Sequence, residues 1–97
     1  MAKYGKQFFD RCLIGVVGEL ESLEEEHPDW PDDLAQAATL VLEKADRLLA
    51  ASSDPHYNSA ESRNQILKEA MQTGAMALRF LLNITDELRY EVEQVRW

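Results

Sequence analysis

Two lines of polar side chains on otherwise apolar helical segments carry the chemistry available to this chain. At about 100° per residue, Gln36, Glu43 and Arg47 fall on one narrow line, with Lys44 beside it. Gln65, Glu69, Gln72, Met76, Arg79 and Asn83 form a second line, interrupted only by the methionine. If the two lines face each other, they enclose a cleft lined by Glu43, Lys44, Arg47, Glu69, Gln72 and Arg79. Carboxylates in such a cleft can ligate a hard cation, and its cations can neutralise phosphate, Arg with a bidentate fork. Buried charges are costly unless paired or liganded, so the cleft calls for an occupant or internal salt bridges. The plainer reading is a Glu43–Arg47 surface pair, worth a few tenths of a kcal/mol, with Glu69 and Gln72 in solvent.

Other reactive residue types lack supporting context. Trp30 and His27 lie in the loop before the segment that carries the first polar line, where a base could stack on the indole; a packing role for such a Trp is the commoner one. His56 and Tyr57 occupy a second loop, as solvent-exposed residues or as reach across a subunit boundary. Residues 19–33 hold eight acids and no Lys or Arg, a solvated helix end or a cation-binding patch. No Ser/His/Asp or Cys/His arrangement and no Gly-rich phosphate loop is present.

Helices must position these groups. Pro28 and Pro31 bracket one loop and Pro55 marks another. The segments between carry helical periodicity. A first helix is expected from about Tyr4 to Glu26, with Phe9, Leu13, Val16, Leu20 and Leu23 as its stripe and Cys12 in its core-facing shoulder. Gly15 and Gly18 each weaken it by about 1 kcal/mol, or admit another helix at close range. A second helix is expected to start at Pro31, favoured in a first turn, and to end near Ala51. Asp32 and Asp33 then sit at the positive end of its dipole. A third is expected after Asn58, capped by its side chain with Glu61 completing the box, and running to about Asn83. A shorter last helix, Thr85 to Gln94, presents Ile84, Leu88, Val92 and Val95 on one side.

The fold class is therefore all-α, a bundle of three or four helices in one domain covering residues 1–97. The second helix is apolar nearly all round, and a chain of 97 residues covers such a helix most simply with a second copy, so a homo-oligomer is expected. Net charge is −8, which argues against duplex nucleic acid as a partner. Apolar runs fall short of the ~20 residues that span a bilayer, and the start of the chain lacks a secretory signal. The single cysteine fits a reducing compartment, so a cytoplasmic location is expected.

The stretches His27-Pro28-Asp29-Trp30-Pro31, Ala37-Ala38, Val41-Leu42-Glu43-Lys44-Ala45-Asp46-Arg47-Leu48 and Lys68-Glu69-Ala70-Met71-Gln72-Thr73-Gly74-Ala75-Met76-Ala77-Leu78-Arg79-Phe80-Leu81 carry a further signal. Together they resemble the MazG-like all-α nucleotide pyrophosphohydrolases, in the style of the small versions carried by phages. The resemblance spans residues 27–84, and the third-helix stretch is its most specific part. It implies a helical oligomer that cleaves nucleoside triphosphates to monophosphate and pyrophosphate. The family holds Mg²⁺ with an EExxE pattern on one helix and ExxD on the next. Those patterns fall on Glu43, Lys44 and Arg47, then on Glu69 and Gln72. Only Glu43 and Glu69 remain acidic, so the five positions carry no net charge.

Positive side chains where a metal should sit impair hydrolysis more than binding. The leading expectation is a nucleotide-binding protein with little or no hydrolysis, one that sequesters a signalling nucleotide, in the host cytoplasm if phage-encoded. Lys44, Arg47, Gln72, Arg79 and Trp30 would bind the ligand, Glu43 and Glu69 would be remnants of metal ligation, and no cofactor would be needed. The alternatives are an active Mg²⁺-dependent pyrophosphohydrolase, with Asp46 and the acids of residues 21–26 rebuilding the site, and a structural protein-interaction module.

Overall fold

A computed structural model describes residues 4–55 and 58–94, and the side chains of residues 4–55 and 58–84. Three helices make up the described chain: α1 (Lys6–Glu26), α2 (Leu34–Ser52) and α3 (Ala60–Gln94). The all-helical expectation holds, and among the described residues there is no strand. His56, Tyr57 and the side chains of Leu88, Val92 and Val95 lie outside the described residues.

Local chemistry sets the helix ends differently from the expectation at three places. The second helix starts at Leu34 rather than Pro31, because Asp33 adopts extended backbone and its Oδ1 accepts the Ala35 N–H at 2.8 Å. An Asp N-cap satisfies an orphan amide, which a proline at the first position cannot do. The third helix is capped by Ser59 rather than Asn58, the Ser59 Oγ accepting the Ser62 N–H at 3.1 Å. No separate last helix forms. Residues 83–85 contain neither Gly nor Pro, and α3 runs through them to Gln94.

Helix α3 is the centre of the fold. α1 and α2 each pack along it, and among the described residues they do not pack on one another. The buried core is small: Leu20 and Leu23 from α1 meet Ala75 and Met76 from α3, with Val16, Trp30, Leu40, Val41 and Leu78 packed around them. Ala37 is fully buried and lets α2 lie close. At Gly15 a Cβ would fall 2.5 Å from the Met71 Sδ, so this glycine does admit a neighbour at close range. Gly18 has open space around it.

Only the C-terminal half of α1 is buried. Phe9 and Leu13, expected in the stripe, are exposed, and so is Cys12, expected in the core. The reason is geometric: among the described residues α2 packs on α3 and not on α1, and it leaves these side chains uncovered. Leu34, Leu42 and Leu49 on α2 and Leu67, Leu81 and Leu82 on α3 are exposed as well. No helix among the described residues is long and apolar enough to cross a membrane.

Candidate functional site

The loop between α1 and α2 is shaped from below by one buried cation. Arg79, on α3, is only 5% exposed. Its guanidinium donates to three backbone carbonyls: His27 O at 2.5 Å, Leu23 O at 3.4 Å and Asp29 O at 3.4 Å. Leu23 O also accepts the His27 N–H that closes the last turn of α1. Leu23 O belongs to the last turn of α1 and His27 caps it, so the cation sits at the negative end of the helix dipole, where it is favoured. The same guanidinium lies over the Trp30 ring, 4.9 Å from its centroid, a cation–π contact. A single side chain thereby ends α1, fixes the His27–Pro31 turn and sets the indole in place.

Above this floor lies a cleft of about 600 Å³, within the range of small-molecule sites. Leu23, Leu40 and Met76 form its apolar base, and Trp30 and Pro31 close one side. Gln36, Glu43, Lys44 and Arg47 project from α2 along the other, spread over about three helical turns. His27 and Asp29 complete the rim.

The polar residues named from the sequence separate into two groups. Trp30, Glu43, Lys44, Arg47 and Arg79 all line the cleft. Glu69 and Gln72 do not; both are on α3, and Lys44 Nζ reaches the Gln72 Oε1 at 3.5 Å. That separation is at the outer limit of a hydrogen bond, leaving the ammonium with donors to spare. Glu43 and Arg47 are exposed at the mouth. Among the described residues neither makes the surface ion pair that their spacing allows. Arg79 lines the cleft, but its terminal nitrogens already serve carbonyls, so it acts as scaffold and aromatic backing.

Glu69 is the most unusual group in the molecule. It is 8% exposed; its Oε1 accepts from Gln65 Nε2 at 2.7 Å, while Oε2 is buried with no partner. An orphaned buried carboxylate oxygen costs stability. The donor set around it does not fit Mg²⁺. Two carboxylates, one at the cleft mouth and one buried on α3, are accompanied by an ammonium and a guanidinium, whereas Mg²⁺ needs oxygen ligands in octahedral array. Among the described residues no group of three His, Cys, Asp or Glu side chains is placed to hold a metal ion.

Five members of the cleft, Leu23, Asp29, Pro31, Leu40 and Met76, were not assigned to it in the sequence. Leu40 reads there as part of a helix apolar on all sides, Met76 as an interruption of a polar line, and Asp29 as one acid in a run. Their signal was positional: Leu40 and Met76 each lie one turn from cleft-facing residues, Gln36 and Lys44 on α2 and Arg79 on α3. No family model matches the chain, and no curated protein or solved structure matches it.

Proposed function

We propose that this chain is a MazG-like, homo-oligomeric cytoplasmic protein whose cleft binds a phosphorylated nucleotide and hydrolyses it slowly or not at all. The observation that carries the reading is that Lys44, Arg47 and Trp30 share one cleft of about 600 Å³. Two cations on successive turns of α2 can neutralise phosphate oxygens, and the apolar base beside the indole suits the flat face of a base. The charge-reversed acidic positions favour retention of a phosphate over metal-assisted attack on it. Sequestration of a signalling nucleotide is the role that such retention serves.

The test is a pair of measurements on one sample. A panel of nucleotides with Mg²⁺ should raise the melting temperature for at least one member, and phosphorus NMR of that mixture should show no pyrophosphate. No thermal response to any member overturns the proposal. Pyrophosphate release that Glu69→Ala abolishes would instead support an active pyrophosphohydrolase.

A further inference from the structure

The outer face of α1 pairs chemistry with geometry in a way the cleft does not use. Asp10, Ile14, Val17, Glu21 and Glu24 recur at spacings of four and three, the alternation that seats one helix against another. The centre of this row is apolar and open: Ile14 is 71% exposed, and Leu13 and Val17 beside it are exposed too. Between them lies a hollow of about 340 Å³ lined by Leu13, Ile14, Val17, Gly18 and Glu21, which Gly18 leaves unfilled. Charge along the helix is polarised. Lys6 and Arg11 lie towards its start, and Glu19, Glu21, Glu24, Glu25 and Glu26 towards its end.

We propose that this face is a two-fold interface, in which α1 packs antiparallel against α1 of a second copy of the chain. The occupant follows from charge. A parallel neighbour would align acid with acid, whereas an antiparallel copy brings each basic start against an acidic end. With the axis between the levels of Ile14 and Val17, Ile14 meets the partner's Val17, and the knob it forms beside Leu13 enters the hollow at the partner's Gly18. Lys6 then lies within one residue of the level of the partner's Glu24, on the same flank. Asp10 faces the partner's Glu21, a like-charge contact that Arg11, one residue on, offsets by reaching the same carboxylate. Hollow and knob lie at equal distances from the axis, so each copy fills the other.

Sedimentation velocity on the full chain tests the interface. The wild type should sediment as two copies and Ile14→Lys as one. Far-UV circular dichroism of Ile14→Lys should be unchanged, because that side chain is not part of the core. Lys6→Glu should weaken association, and adding Glu24→Lys to the same chain should restore it, which only the antiparallel arrangement allows. Leu49→Lys, on the exposed side of α2, should leave association intact. A wild type that remains single at every concentration overturns the proposal and leaves the face to a different partner. Association that survives Ile14→Lys but is lost in Leu49→Lys overturns it in favour of α2.

Discussion

Replacing Arg79 removes a side chain that joins α3, the end of α1 and the His27–Pro31 turn. Arg79→Met keeps an unbranched apolar stem and discards the guanidinium. The charge-assisted hydrogen bond to His27 O, at 2.5 Å, is the strongest of the three, and such bonds contribute about 1.5–3 kcal/mol. The two at 3.4 Å add little. The stack on Trp30 adds about 1 kcal/mol. The total, about 3 kcal/mol, is a large share of the ~10 kcal/mol typical for a chain of this length. It corresponds to a fall in melting temperature of roughly 15 °C. Arg79→Lys retains a point charge for one carbonyl but loses the fork and the planar stack, so about half the loss is expected. Thermal denaturation followed by circular dichroism measures the stability. In a Trp97→Phe background, emission reports Trp30 alone and should shift to the red in Arg79→Met as the turn loosens. A melting temperature within a few degrees of wild type, with Trp30 emission unchanged, would refute the assignment of Arg79 as the organiser of this turn.

Other substitutions separate the remaining contributions. Asp33→Ala should cost about 1 kcal/mol by removing the cap of α2, read as a lower midpoint in urea. Gly18→Ala should stabilise α1 by up to about 1 kcal/mol because no atom lies within 4 Å of the added methyl. Gly15→Ala should give little or none of that gain, since the Met71 thioether must move aside. Both are best measured in the Ile14→Lys background, where association does not contribute. Glu69→Met should raise stability by about 1 kcal/mol, because it removes a buried carboxylate that is satisfied on one oxygen only. Gln65, its partner, is exposed and turns to water. A loss of stability in Glu69→Met would mean that Oε2 has a partner after all.

Periodicity was enough to read the helical class and the approximate span of each helix, because a 3.6-residue pattern depends only on neighbours along the chain. The ends were harder. Asp33 competes with Pro31 to begin α2, and Ser59 with Asn58 to begin α3; adjacent residues offer similar caps, and backbone geometry chooses between them. The α2 side of the cleft was legible, since Gln36, Glu43, Lys44 and Arg47 share a face whatever packs against it. Arg79 was not. Its position on a polar line is visible, but its partners are carbonyls some fifty residues earlier, and backbone oxygens leave no mark in a sequence. Cys12 and Leu13 were misplaced for a related reason: an apolar stripe says which face wants cover, not whether the chain supplies it.

The central claim is that Lys44 and Arg47 hold the phosphate of a nucleotide in the cleft beside Trp30. Isothermal calorimetry measures this most directly, with a nucleotide that raises the melting temperature titrated into wild type and into Lys44→Glu/Arg47→Glu. Two charge-assisted contacts at 1.5 kcal/mol or more each amount to about a hundredfold in affinity. The account predicts a loss of at least that size, with the double variant still folded. Equal affinity in the two proteins would contradict it.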